Sequence, residues 1–151
     1  MPKFEPRDPD FEARVRNSFS RQTAMYTLGA VLGRVNPGEV EIEMAYRTDL
    51  SQQHGFIHGG ITTAILDSAC GYAAFSLSAP DTAVLTVEYK VNFIAPAKGE
   101  RFVARGEVVR PGASVTVCKG DVVAIEHGEE KLVTTMLTTL MLLPNRPDLA
   151  S

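Results

Sequence analysis

Two short features of this sequence carry the residue types that do chemistry. His58-Gly59-Gly60 heads an apolar run, and Asp67 is the one charged residue between positions 61 and 79. That run includes Ala64, Ser68, Ala69, Gly71, Ala73 and Ala74. A helix apolar on all sides is a buried helix. Asp is a poor interior helix former and is rarely buried without a partner. A carboxylate there is either half of a structural pair with Arg, Lys or backbone amides, or a nucleophile or base. The first turn of a helix leaves N–H groups unpaired and partly positive. Glycine lets a ligand oxygen come close, so Gly59 and Gly60 frame a candidate oxyanion site. A Gly pair alone more often marks a turn.

Spacing sharpens this reading. Gly59 and Asp67 stand eight residues apart, about 12 Å along a helix axis. A nucleophile or base must lie within hydrogen-bond reach of the reacting centre. One chain therefore cannot bring both groups to one carbonyl carbon. If both serve one reaction, Asp67 of one protomer meets Gly59 of another, with two equivalent sites on a two-fold interface.

These groups need a scaffold. Residues 1–8 are polar with two prolines and predict a loose arm. Asp10 stands where it would cap a helix starting near Phe11. Phe11, Val15, Phe19 and Thr23 give that helix a narrow apolar stripe, ending before Gly29. Asn36-Pro37-Gly38 signals a turn between strands at 30–35 and 39–46, and Val40-Glu41-Ile42-Glu43-Met44 alternates as a strand with one wet face. Residues 47–58 are irregular. After the apolar helix, Val87, Tyr89, Val91 and Phe93 alternate with polar residues. Runs at 102–109, 115–125 and 131–143 follow, parted by Arg110-Pro111-Gly112 and His127-Gly128-Glu129. Two of these runs exceed usual strand lengths, which predicts a long, strongly curved sheet. The class is α+β. The apolar helix, at about residues 59–77, must be covered by the sheet, and a sheet curled around it does so. No repeat or internal boundary appears, so one domain is expected over 1–151, with arm and first helix at about 1–28 and the core at about 30–143.

Composition excludes several classes. The 151 residues are 44% hydrophobic and 22% charged, with a formal charge of -3. That suits a globular protein and gives no basic footprint for nucleic acid or an anionic membrane. No apolar run reaches the roughly 18 residues of a bilayer span, and the charged start has no signal-peptide core. Cys70 and Cys118 lack CxxC spacing and read as buried thiols of a reducing, cytoplasmic protein. His54 and His58 lie in an irregular stretch with no third ligand, so no metal site is expected.

Gln52-Gln53-His54-Gly55-Phe56-Ile57-His58-Gly59-Gly60, then Leu66-Asp67-Ser68-Ala69-Cys70-Gly71, resembles the signature of the PaaI-type hotdog-fold acyl-CoA thioesterases. Val91-Asn92-Phe93-Ile94-Ala95-Pro96-Ala97 is similar to the strand that follows in that family. The resemblance covers roughly residues 30–143 and leaves the N-terminal helix outside the shared core. It implies the hotdog fold and hydrolysis of acyl-CoA or aryl-CoA esters without a cofactor, by a homodimer or homotetramer. The family's acid falls on Asp67, as nucleophile or as base for water. The oxyanion N–H falls on Gly59, followed by Gly60. The family's Asn or Gln falls on Gln52, orienting water or thioester; Gln is usual in aryl-CoA relatives and Asn in many PaaI-like members. A water-positioning Ser or Thr falls on Thr86. His58 more often holds the loop and helix start than transfers a proton.

Asn92, Lys98, Arg110 and Ser114 are candidate substrate-binding residues, the cations because Arg and Lys suit CoA phosphates. Two other functions compete. A hotdog hydratase or dehydratase would pair a His with a carboxylate for proton transfer, but here the His runs straight into Gly59-Gly60 and the acid comes nine residues later. A non-catalytic acyl-CoA-binding protein would leave Asp67 without a purpose.

Overall fold

A computed structural model describes residues 3–149. The elements run α1 (Phe11–Ser20), α2 (Thr23–Leu28), β1 (Ala30–Asn36), β2 (Glu39–Ala45), a 3-10 turn at Thr48–Leu50, α3 (Gly59–Ser76), β3 (Ala83–Phe93), β4 (Arg101–Arg110), β5 (Val115–Glu126) and β6 (Glu129–Leu143). The strands form one antiparallel sheet in the order β1-β2-β4-β5-β6-β3. The sheet curls around α3, which is the hotdog arrangement expected from the sequence. No helix among the described residues is long and apolar enough to cross a membrane.

The hairpins follow local chemistry. Gly38, at φ 79°, closes the β1–β2 turn, and its N–H donates to Ser76 Oγ at 2.8 Å. His127 and Gly128 both have positive φ, which suits the two-residue turn joining β5 to β6. In β2, Val40, Ile42 and Met44 face the core while Glu39, Glu41 and Glu43 face outward.

Two paired glycines seat the central helix. Gly106 of β4 lies opposite Gly120 of β5. A Cβ on Gly106 would fall 2.5 Å from backbone atoms of Ala69 and Cys70, and one on Gly120 would fall 2.6 Å from Leu66 Cδ1. Only bare backbone lets α3 press this close. Cys70 and Cys118 are free and buried at this contact.

The start of the chain departs from expectation. Residues 3–8 form no helix or strand, but they are not a loose arm. Phe4 packs against the core, and Asp8 is buried against Arg14 at 3.1 Å. Asp10 occupies the N-cap position without a side-chain cap bond; instead Asp8 Oδ1 accepts from the Asp10 N–H at 2.9 Å. The single expected helix is two, broken at Arg21-Gln22, because α1 turns away after its apolar stripe is spent. Val15 is buried and Phe11 and Phe19 partly so, but Thr23 is exposed. Arg14 spans to the end of α3, donating to the carbonyls of Ser78 and Ala79, with its guanidinium over the Phe75 ring. These contacts tie α1 to the segment that follows α3.

Nor is α3 covered all round. Gly60, Ala64, Asp67, Ser68 and Gly71 are exposed or half-exposed. They recur at helical spacing, so one stripe of α3 stays open. Asp67 lies on that stripe, and the expectation of a buried Asp67 is corrected: it is half-exposed. The sheet cannot reach this stripe because β3 forms its edge on that side.

Candidate active site

Asp67 faces a cleft of about 600 Å³ between α3, the start of β3, and the end of α1 with the Arg21-Gln22 break that follows it. Thr86 of β3 donates from Oγ1 to Asp67 Oδ1 at 2.8 Å. The carboxylate is thus held on one oxygen, with the other directed to an open cleft. A register shift between Thr86 and Glu88 falls beside this bond. Such bulges re-aim side chains near sites.

The cleft also has a wall from outside the expected core. Ser68 Oγ donates to Gln22 Oε1 at 2.9 Å, and Ser18 Oγ and Tyr72 Oη lie 3.1 Å apart. Arg21 stands on the rim. Burial pushes the Tyr72 phenol above its usual range, while Ser18 and the Arg21 charge oppose that shift. These residues were missed from sequence. The break at Arg21-Gln22 that aims them has no motif; only the loss of the apolar stripe after Phe19 hints at it.

Gly59 lies in a second recess of about 520 Å³, with Gln52, His58, Gly60, Phe93 and Pro96. The two recesses share no lining residue. His58 caps α3, its Nδ1 accepting from the Gly60 N–H at 2.8 Å. The Gly59 N–H has no protein acceptor among the described residues. It remains a donor at the positive end of an 18-residue helix. A Cβ on Gly59 would also meet the Phe93 ring at 2.9 Å, and one on Gly60 would press on the His58 ring at 3.0 Å.

Gln52 lines this recess, but its Oε1 is engaged by the loop, accepting from the N–H of His54 at 2.6 Å and of Phe56 at 3.4 Å. Its amide nitrogen is the end left to address a ligand. Asn92 is exposed on β3 and accepts from Lys90 Nζ at 2.7 Å. Lys98 is exposed just past Ala97, at the border of the Gly59 recess. Arg110 and Ser114 are exposed at the β4–β5 turn and line neither recess. The structure therefore joins Asp67 to Thr86, and Gly59 to Gln52, His58 and Gly60. Within one chain it does not join the two sets.

A curved antiparallel sheet wrapped around a central helix is the hotdog class. The model of the Thioesterase superfamily matches residues 54–131, and the chain belongs to that family. A thioesterase family protein from Silicibacter pomeroyi is 54% identical, with a TM-score of 0.88 over 89% of this chain and 98% of that one. The PaaI protein of E. coli, from the phenylacetic acid degradation operon, shares the fold at 17% identity, with a TM-score of 0.80 over 89% of this chain and 94% of its own. A 1,4-dihydroxy-2-naphthoyl-CoA hydrolase of Listeria monocytogenes is 23% identical over 80% of this chain and 95% of its own. The chain spans 56% of the length of a Saccharolobus solfataricus relative whose name carries the word esterase.

Proposed function

We propose that this protein hydrolyses acyl-CoA or aryl-CoA thioesters to free acid and CoA, at sites built from two copies of the chain. The observation that carries the reading is Asp67, presented on the open stripe of α3 with one carboxylate oxygen fixed by Thr86 and a cleft before the other. The partner's copy of the Gly59 recess supplies what this cleft lacks. The thioester carbonyl oxygen accepts from the Gly59 N–H, where the helix end stabilises the charge that builds up during attack. Asp67 attacks the carbonyl carbon, or takes a proton from the water that does, and CoA leaves as its thiolate. In the first route the bond formed is a mixed anhydride on Asp67, which water then hydrolyses to free the acid and the carboxylate. In the second the water's oxygen goes directly into the acid. In both, a proton from that water ends on the departing thiolate. Thr86 keeps the carboxylate aimed, and the Gln52 amide orients water or thioester.

The edge of the sheet supports the two-copy reading. β3 pairs only with β6, so its other margin is unpaired over 11 residues. Leu85, Val87, Tyr89 and Phe93 are exposed along it. A long apolar edge of this kind pairs with another chain. Burial along β3 does not alternate for the same reason: Ala83 is buried and Val84 and Val91 pack against the core, while the residues between Val84 and Val91 are exposed. Leu85, Val115, Leu137 and Met141 leave a further apolar surface that would let dimers pair into a homotetramer. Lys98, Asn92, Arg110 and Ser114 then border the CoA moiety. The free thiols Cys70 and Cys118 suit a cytoplasmic protein. A hydratase reading is disfavoured, because His58 Nδ1 is occupied in accepting from the Gly60 N–H at the helix start.

The test is thiol release from a panel of acyl-CoA and aryl-CoA esters, wild type beside Asp67→Asn. Wild type should release CoA and the variant should lose about a thousandfold in kcat with ligand binding intact. CoA release at the wild-type rate by Asp67→Asn would overturn the reading. Tight ester binding with no release by wild type would leave a binding protein instead.

A further inference from the structure

The glycines of α3 are not alike. Gly59 and Gly60 are held bare by the Phe93 ring and the His58 ring. Gly71 lies in the helix interior, where glycine is less favourable than alanine. Its φ is not positive, and beyond its chain neighbours and the adjacent backbone of α3 no heavy atom of the described residues lies within 4 Å of where its Cβ would stand. Neither conformation nor packing within the chain accounts for it.

Its position does. Gly71 lines the same cleft as Asp67, one helical turn further on, and Phe75 follows at the next turn. Tyr72 and Phe75, whose rings meet edge to face at 6.0 Å, stand beside it with Val84 and Leu140. The floor of the cleft is thus open where the walls on either side are bulky and apolar.

We infer that Gly71 sets the width of the acyl subsite, keeping room one turn beyond the attacking carboxylate for an acyl group wider than a straight alkyl chain. This rests on the hydrolase reading above and assigns the cleft beyond Asp67 to the acyl group. Dissolved CoA phosphates do not suit that space, since Arg21 is the one cation lining it and the remaining floor and walls are largely apolar.

Gly71→Ala tests the inference cleanly, because the added methyl meets nothing and a helical Gly→Ala exchange stabilises. The melting temperature should rise by roughly 2 °C. Two CoA esters matched in acyl carbon count are compared, octanoyl-CoA and phenylacetyl-CoA. In Gly71→Ala, kcat/KM for the ring-bearing ester should fall at least about tenfold relative to the straight-chain ester, the scale of one methylene in a pocket. An unchanged ratio, or an equal fall for both esters, overturns the inference. A fall in melting temperature or a change in oligomeric state also overturns it, by showing that a second copy of the chain fills the space. If wild type cleaves neither these two esters nor any other of the acyl-CoA and aryl-CoA panel, the hydrolase reading fails by itself. Calorimetric binding of the two esters to wild type and Gly71→Ala then still reports whether the subsite selects on width.

Discussion

Thr86 and Asp67 are joined across the boundary between sheet and helix, Oγ1 to Oδ1 at 2.8 Å. The bond ties the first half of β3 to the middle of α3, on the stripe of that helix that stays open. It holds one carboxylate oxygen and leaves the other for the attack proposed above. Thr86→Val removes the donor at nearly constant volume. For a bond to a charged group, kcat should fall about tenfold or more, with KM little changed. Thr86→Ser should restore most of the rate. Steady-state kinetics on all three proteins checks this, and full activity in the Val variant would leave the bond a structural detail.

The free margin of β3 gives a second expectation. Val87 is 56% exposed there. Charged side chains, lysine above all, blunt sheet edges. Val87→Lys should shift the protein toward monomer in sedimentation velocity and lose turnover in proportion. A monomeric variant with wild-type turnover would contradict a site shared between copies.

Gly106→Ala should be among the most damaging single changes. Its methyl would fall 2.5 Å from the backbone of α3, which has no flexible atom to give way. Overpacking of this kind costs about 3 kcal/mol. Urea denaturation should show the midpoint falling with the slope unchanged.

Alkali should destabilise the fold through its thiols. Burial pushes the Cys118 thiol from its ordinary 9.0 up to about 12, and Cys70 also lies well above the ordinary value. The unfolded chain releases these protons near pH 9 while the native protein keeps them. Their contribution is full below that pH and is lost as pH rises toward about 12. Burial acts in the same direction on Tyr72. The urea midpoint should therefore drop between pH 8.5 and pH 10.5, and the drop should be smaller in Cys118→Ala, as paired titrations would show.

Much of this protein was legible in its sequence, because the signals were local. Strict alternation placed β2, Pro37-Gly38 placed its turn, and a run of small and apolar residues placed α3. His58-Gly59-Gly60 and Asp67 stood out because a helix start and a mid-helix carboxylate are unusual in their own right. Their spacing along one helix was enough to show that they cannot meet within a chain.

What the sequence did not disclose depends on contacts between distant segments. Asp67 looked buried because its neighbours are apolar, yet burial is decided by what covers a face, and β3 at the sheet edge leaves that stripe open. Gly106 and Gly120 looked like ordinary strand glycines until α3 was laid against them. Gly59 serves the Phe93 ring, 34 residues away along the chain. Asp8, rather than Asp10, organises the start of α1, because its partner Arg14 is fixed by the end of α3. Local pattern reports which residues prefer a helix, a strand or a turn. Which surfaces remain exposed after packing, and hence which carboxylates stay accessible, is set only when the whole chain has closed around its core.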